Sequence, residues 1–316
     1  MTNADFAAHF ADAVWHAEAM HVNAHGAARY LLSRAVRDAG CKVVLAGEGA
    51  DELGAGYHFC ERALQVRAQS PLWRWPRLLG RLLQPKNPTE RLIAGTSPDV
   101  VRAARLLGFP ASMLDYVAGK IGVMRGLLHE DFAGEFARHD PYGDLFRQLN
   151  ARRQLAGREP VKQVLYLWLK TFFANYVLAG ERMDMAHAVE LRLPFLDHHL
   201  FEFARQIPGS LFLREGRQKW VLREAMQPFV PDQVYRGRKQ PFMAPPSALQ
   251  EGSALLELVQ DTLRSEAAAA VPFFDRQAVL LLLDRLPVMT MEDRTALDPV
   301  LLMMLSLAVL HDRYRL

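Results

Sequence analysis

Three carboxylates follow a short apolar run near the N-terminal end of the chain. Glu48, Asp51 and Glu52 lie in a Gly-Glu-Gly-Ala-Asp-Glu segment that starts at Gly47, directly after the run Val43–Ala46. Carboxylates at such close spacing can hold Mg²⁺ against phosphates or accept a proton. The same acids could instead form a turn that favours the N-terminus of the next helix. This segment taken alone leaves both interpretations open.

A helix and a strand must position these acids. Apolar residues at helical spacing predict a helix over Ala24–Ala39, and Gly40 supplies its C-terminal stop. The run Val43–Ala46 predicts a buried parallel strand, because it is short, apolar and bounded by glycine. Ligands of open α/β sheets bind just beyond the carboxyl ends of such strands. The acids therefore lie where an α/β unit binds its ligands.

The rest of the chain predicts helices, so the expected fold class is α/β but predominantly helical. No convincing second strand follows Arg62, and the stretch Val161–Leu178, apolar on nearly all sides, predicts a central buried helix. The mixture of Pro, Trp and Arg over Pro71–Pro88 predicts an irregular surface connection. Further helices are predicted over Leu200–Ile207, Gln218–Met226, Ala278–Leu286 and Pro299–Arg315.

Composition excludes several classes of protein. The 316 residues are 50% hydrophobic and 23% charged, which is typical of a globular chain with a real core. A net charge of +3 without a long basic run argues against a nucleic-acid partner. The apolar runs Ala278–Leu283 and Val300–Leu310 are too short to span a bilayer, and no signal peptide is apparent. With only two cysteines, the expectation is a cytoplasmic protein with no membrane partner.

Charged residues recur at close spacing in three later segments. The first covers residues 180–197 between two apolar helices, and the second is a basic helix start over residues 216–223. The third places Arg236, Arg238 and Lys239 around Gly237. Charges held between apolar helices must pair with each other or with a ligand, and a basic loop suits phosphates. Each segment could equally be a structural ion-pair network or a solvated turn.

Taken together and in this order, the segments resemble the C-terminal synthetase domain of glutamine-dependent asparagine synthetases. The resemblance implies a partial ATP-pyrophosphatase (adenine nucleotide alpha hydrolase-like) fold with a reduced parallel sheet. It makes residues 1–316 one synthetase domain, with an α/β part over 1–60 and a helical part over 61–316. It rests on five colinear blocks between about residues 12 and 245: Val14-Trp15-His16, Gly47–Glu52, Arg182–His187, Arg192–Asp197 and Arg238–Phe242.

The resemblance also implies a reaction. In that family, ATP activates the side-chain carboxylate of aspartate as an acyl-adenylate and releases pyrophosphate, and ammonia then displaces AMP to give asparagine. By position, Ala46 and Gly47 would lie against ATP, Glu48 would accept a proton from the attacking ammonia, and Asp51 would bind Mg²⁺. Lys239 would stabilise the charge on the departing phosphate.

Further positions refine this expectation. Relatives that close β-lactam rings carry Tyr at the position of Glu48, so the acid favours ammonia as the nucleophile, although macrolactam-forming relatives may keep it. By the same resemblance, Glu52 would line the inner end of the ammonia path. The residues expected to shape the pocket wall rather than perform chemistry are Arg182, His187, Arg192 and Asp197.

The chain departs from the family pattern at the phosphate site. The family's Ser-Gly-Gly-x-Asp-Ser loop is missing, because no two of the 20 glycines are adjacent, and Thr2 stands where a glutaminase has its cysteine. The expectation is an enzyme part that needs a missing N-terminal half or a separate glutaminase, with Val43–Ala46 at a sheet edge or in a very small sheet. Two alternatives stay open: a non-catalytic, partner-binding module, and a relative that forms a lactam or an amide on another carboxylate.

Overall fold

The computed structural model describes residues 1–67, 98–109, 111–237 and 249–315. The predicted connection Pro71–Pro88 lies outside these residues. Nine helices of the described part precede residue 160: α1 (Asn3–Ala17), α2 (His25–Asp38), α3 (Ala50–Gly54), α4 (His58–Arg67), α5 (Pro98–Leu107), α6 (Ser112–Arg125), α7 (Glu130–Ala137), α8 (Pro141–Gln148) and α9 (Ala151–Gln154). The later ones are α10 (Pro160–Trp168), α11 (Ala174–Met185), α12 (His198–Ala204), α13 (Trp220–Met226), α14 (Asp232–Arg236), α15 (Ala254–Arg264), α16 (Glu266–Ala269), α17 (Arg276–Arg285) and α18 (Met291–Tyr314).

A two-stranded parallel sheet lies beside the acidic loop. Strand β1 (Val43–Leu45) pairs with β2 (Glu190–Arg192), and Val44 lies opposite Leu191. The prediction of a parallel strand here, in a very small sheet, is confirmed. The prediction of no strand after Arg62 is wrong, because β2 and a short hairpin, β3 (Leu213–Arg214) and β4 (Arg217–Gln218), form in that part of the chain. A three-residue strand such as Glu-Leu-Arg contains too few apolar positions to show a period of two.

Strand β1 is exposed, although parallel strands are normally buried on both faces. The exposed fractions of Val43 and Leu45 are 41% and 70%, and β2 is the only strand paired with β1 within the described residues. Parallel sheets are usually covered by helices, and an exposed edge is open to pairing with a further strand. The prediction that Val43–Ala46 is a buried strand is therefore wrong for this structure.

Helix α2 leads directly into β1, as predicted for half of an α/β unit. It occupies the predicted span Ala24–Ala39 to within one residue at each end. Gly40 follows with a φ of +80°, a left-handed conformation that suits a glycine after a helix. Ala27 and Leu31 are buried against the core. This packing fixes the orientation of α2 about its own axis, and therefore the side of the helix on which Arg29 lies.

The predicted central helix forms but is buried over only part of its length. Helix α10 continues through a π-helical turn, Leu169–Phe173, into α11. Val164 and Leu167 are fully buried, whereas the side chains of Phe172 and Leu178 are 44% and 51% exposed. The prediction of burial along the whole segment is wrong for its second half. A helix that is apolar on all sides carries no signal for which side faces the core. The π turn also rotates the residues that follow it relative to those of α10.

Helix α18 is the centre of the larger core. Its residues Val300, Leu302 and Met304 are fully buried, and the helix packs against α1, α6, α15 and α16. Among the described helices, α18 alone is long and apolar enough to cross a membrane, but half of its most apolar stretch is buried inside the protein. A core helix meets the same criteria of length and composition. A second core forms where α4 and α5 meet α8 and α10.

His21 is a buried neutral histidine in the first core. Its side chain is near Gly26, where a Cβ would overlap the imidazole ring, and its backbone N–H donates to Ser306 Oγ at 3.0 Å. Neither ring nitrogen has a hydrogen-bond partner among the described residues. Burial lowers the pKa of His21 to about 4. The folded state therefore holds this ring neutral where the unfolded chain protonates it.

We expect His21→Leu to make the stability of the protein less sensitive to acid. An unfolded histidine titrates near pH 6.5, so the folded state loses stability as the pH falls from about 6.5 to about 4. Across this window the loss due to His21 is about 3 kcal/mol, and leucine removes it. Urea unfolding at pH 7, 5.5 and 4 measures the effect. The exposed His58 gives a control, His58→Leu, and equal pH slopes in both variants would contradict the assignment.

Candidate functional site

The acidic loop begins where β1 ends. The backbone N–H of Ala46 donates to the Arg192 carbonyl at 3.0 Å, and the chain then turns through Gly47 and Gly49 into α3. Gly49 has a φ of +95°, and a Cβ there would lie 2.5 Å from Leu196 Cδ2, so only glycine fits. By contrast, no heavy atom lies within 4 Å of a Cβ placed on Gly47. The loop backbone is thus accessible at Gly47 and packed at Gly49.

Glu48 is held by an arginine that the sequence analysis did not single out. Arg29 Nη1 donates to Glu48 Oε1 at 2.6 Å, and Arg29 Nη2 donates to Asp184 Oδ2 at 2.7 Å. Ser33 donates to the other oxygen of Asp184, and the absence of a Cβ at Gly180 leaves room for the guanidinium. Burial alone would lower the pKa of Arg29, but the hydrogen bond to Asp184 and the charge of Glu48 raise it overall. Arg29 is therefore a permanent cation between two carboxylates.

The two oxygens of Glu48 differ in their surroundings. Oε1 is fixed by Arg29, whereas Oε2 is buried and has no hydrogen-bond partner among the described residues. A buried carboxylate oxygen without a partner is costly and rare in folded proteins. Arg29 supplies the opposite charge beside Glu48. Oε2 is consequently an acceptor that a ligand could use.

Asp51 is paired with a lysine from a distant part of the chain. Lys219 Nζ lies 2.7 Å from Asp51 Oδ1, and the two side chains are 18% and 25% exposed. Among the described residues no group of three or more His, Cys, Asp or Glu could hold a metal. Mg²⁺ is commonly bound by one or two carboxylates together with phosphate oxygens and water. Asp51 fits that mode, with phosphates supplying further oxygens.

Glu52 has a structural environment. It is 5% exposed, and its Oε1 accepts hydrogen bonds from the Tyr57 hydroxyl at 2.5 Å and from Trp168 Nε1 at 2.9 Å. Burial, together with the charge of Glu52, raises the pKa of Tyr57. These contacts tie α3 to α10, where the π turn begins. The place of Glu52 on an ammonia path stays a prediction.

Two arginines anchor the segment that leads to Lys239. Arg217 Nη2 and Arg223 Nη1 each donate to the Tyr235 carbonyl at 2.8 Å, and Arg223 also donates to the Gly237 carbonyl at 2.8 Å. Two arginines of the basic helix start thus hold the backbone of Tyr235 and Gly237 in place. Lys239 lies outside the described residues, and its role stays a prediction.

The residues expected to form the pocket wall make structural contacts. Arg182 Nη2 lies 3.4 Å from Glu18 Oε2. The ring of His187 packs on the ring of Tyr30, and the two ring centroids are 4.4 Å apart. Arg192 pairs with Glu190 at 2.7 Å on the exposed sheet. Asp197 caps α12 by accepting hydrogen bonds from the backbone of His199 and Leu200 at 2.9 and 3.0 Å, which lower the pKa of its carboxyl.

The structure brings Ala46, Gly47, Glu48 and Asp51 to one end of β1. Sequence reasoning missed Arg29 and Lys219, which neutralise the two acids. No local pattern marks Arg29, because its helix carries other arginines on its exposed side. The one available signal for Lys219 was the basic segment in which it lies.

Comparison of the sequence with known proteins identifies a family and several relatives. The sequence model for asparagine synthase matches residues 1–311. Amidase chry2 of Gibberella zeae is 29% identical over 290 residues, which are 85% of this chain and 42% of that protein. Amidase chyE of Penicillium rubens is 29% identical over 298 residues, covering 86% and 42%. Asparagine synthetase [glutamine-hydrolyzing] 1 of Bacillus subtilis is 27% identical over 205 residues, covering 64% and 30%. The chain thus spans about two-fifths of the length of the two amidases.

Proposed function

Because this chain belongs to the asparagine synthase family, we propose that it takes part in ATP-dependent formation of an amide from a carboxylate. The observation that carries this proposal is the pair of unlike oxygens on Glu48. One oxygen is held by Arg29 at 2.6 Å, and the other is buried and has no hydrogen-bond partner among the described residues. A positioned carboxylate of this kind suits a general base.

The proposed reaction has two steps. A carboxylate oxygen of the substrate attacks the α-phosphorus of ATP, so that an acyl-adenylate forms and pyrophosphate leaves. The nitrogen of ammonia then attacks the acyl carbon, Glu48 Oε2 accepts a proton from that nitrogen, and AMP leaves with its bonding electrons. Arg29 keeps Glu48 oriented throughout, because it is itself fixed by Asp184.

The loop residues are proposed to bind the nucleotide. No heavy atom lies within 4 Å of a Cβ placed on Gly47, so the backbone there is open to a ligand. Ala46 adjoins Gly47 at the end of β1. Mg²⁺, when bound, would neutralise charge on the pyrophosphate, and Asp51 would be its ligand on this chain. Lys239 is proposed to stabilise the same charge.

A partner polypeptide is proposed to complete the site. The exposed edge of β1 supports this, since Leu45 is 70% exposed and a strand added there would extend the parallel sheet. That partner, or a further segment, would supply the phosphate-binding loop. A glutaminase would supply the ammonia.

The acceptor acid has two candidates. Aspartate, giving asparagine, is favoured by the match to Asparagine synthetase [glutamine-hydrolyzing] 1 over 64% of this chain. Another carboxylate is favoured by the two relatives named as amidases, which match 85% and 86% of this chain. Glu48 suits either acid, because it acts on the nitrogen nucleophile.

Exchange of labelled pyrophosphate into ATP tests the proposal. We expect exchange that depends on an added carboxylate, measured on the purified chain and on the chain co-expressed with polypeptides encoded beside it. Product analysis with ammonia then distinguishes asparagine from an amide of another acid. A complete lack of exchange in every combination would leave the non-catalytic, partner-binding alternative.

Gly47→Ala tests the proposed contact between ATP and the loop in this assay. Its new methyl group meets no atom of the protein within 4 Å, so the fold is kept, whereas close approach of ATP to the loop is obstructed. We expect the apparent ATP affinity to fall by about tenfold. Gly122→Ala, at another position with no neighbour within 4 Å, is the control and should not change that affinity.

A further inference from the structure

Lys219 reaches Asp51 through a groove that glycines create. A Cβ on Gly54 would lie 3.0 Å from Lys219 Cγ, and a Cβ on Gly56 would overlap both Lys219 Cε and the Asp51 carboxylate. The aliphatic part of Lys219 therefore runs along the backbone of the segment that follows the acids. Side chains at positions 54 and 56 would close this path.

The backbone of Lys219 is also specialised for this contact. Its φ of +54° and ψ of +37° are left-handed, a conformation uncommon for a residue with a side chain. Lys219 precedes α13, and the neighbouring Arg223 donates to the Gln218 carbonyl at 3.1 Å, which holds this turn in place. Backbone strain of this kind is maintained only where surrounding contacts stabilise it. Here those contacts deliver an ammonium to Asp51.

We propose that Lys219 is an internal counter-ion that occupies the cation position at Asp51 until a divalent cation arrives with phosphate oxygens. When it does, the Lys219 ammonium pairs with the phosphate oxygens instead. The inference rests on the proposed function, because it takes Asp51 as the residue that binds the divalent cation.

The charges predict that Lys219 weakens the binding of a free divalent cation at Asp51. A divalent cation on an Asp51 oxygen would lie close to an ammonium now 2.7 Å from that carboxylate, and the two would repel. The groove limits how far the Lys219 ammonium can withdraw. Phosphate oxygens remove the conflict because they attract both cations. The site thus binds a free cation weakly and a cation–phosphate complex more strongly.

Binding of Mn²⁺, followed by electron paramagnetic resonance on the full chain, tests this proposal. We expect Lys219→Met to bind free Mn²⁺ about tenfold more tightly than the wild type. Added inorganic pyrophosphate should strengthen Mn²⁺ binding more in the wild type than in Lys219→Met, because only the wild type keeps an ammonium for the anion. Lys162→Met is the matched control, because the Lys162 ammonium donates a hydrogen bond to the Arg205 carbonyl on the surface. This variant should not change the Mn²⁺ affinity, either with or without pyrophosphate.

Asp51→Asn separates this inference from the proposed function. If Asp51→Asn weakens Mn²⁺ binding while Lys219→Met equals the wild type, Asp51 is a metal ligand and the counter-ion role of Lys219 is refuted. If neither Asp51→Asn nor Lys219→Met changes Mn²⁺ binding, the proposed metal site fails as well. Circular dichroism checks folding, and Lys219→Gln replaces Lys219→Met if the methionine variant does not fold.

Discussion

Glu48→Gln is expected to lower the rate of amide formation by about 10²- to 10⁴-fold while leaving carboxylate-dependent exchange of pyrophosphate into ATP in place. Glutamine keeps the size of the side chain and an oxygen for Arg29, but it cannot take up a proton from ammonia. The adenylation step does not need that proton acceptor, so the two half-reactions separate. Labelled pyrophosphate exchange and amide product, measured on the same preparation, give the two rates.

Glu190→Gln is the matched control for this change. Glu190 lies on β2, pairs with Arg192 at 2.7 Å and is largely exposed, so its replacement should leave both half-reactions unchanged. An equal loss of exchange and amide formation in Glu48→Gln would contradict the proposed role. Glu48 would then act in binding ATP or the substrate carboxylate.

Arg29→Met is expected to destabilise the protein by about 3–5 kcal/mol. Arg29 joins Glu48 and Asp184, and the three side chains are only 15%, 21% and 6% exposed. Methionine fills similar space but leaves two carboxylates close together without their shared cation. Urea unfolding at neutral pH measures the change in the free energy of unfolding.

Arg37→Met, in the same helix, provides the comparison for Arg29→Met. Arg37 is half exposed and pairs with the neighbouring Asp38, so its replacement should cost no more than about 0.5 kcal/mol. Adding Asp184→Asn to Arg29→Met should recover part of the lost stability, because one unpaired charge is removed. Equal costs for Arg29→Met and Arg37→Met would show that the Arg29 ion pairs do not stabilise the fold.

The local elements and the acidic loop were predictable from the sequence. Helix α2 and strand β1 follow from apolar periodicity, from Gly40 and from a short β-branched run, all of which act within a few residues. The position of Glu48 and Asp51 at the carboxyl end of β1 follows from the same local order. The resemblance to the family supplies the proposed chemical roles of these residues.

The partners of the acids could be learned only from the tertiary structure. Arg29 meets Asp184 across 155 positions of the chain, and Lys219 reaches Asp51 across a similar distance. The short strand β2 was missed because three residues carry no measurable period, although pairing with β1 makes it a strand. Burial of α10, but not of Phe172 and Leu178 after it, likewise depends on which helices pack against this segment.

The sequence by itself determined the chemical groups and their order: a glycine loop that carries the carboxylates of Glu48 and Asp51. The tertiary structure alone decided which cation lies beside each acid, because an electrostatic interaction depends on distance through space and not on separation along the chain. Packing of α2 and α11 places the Arg29 guanidinium beside Glu48, and the turn before α13 places Lys219 beside Asp51. Two of the three acids in the loop, Glu48 and Asp51, are thus each held by a cation that local sequence does not assign to them.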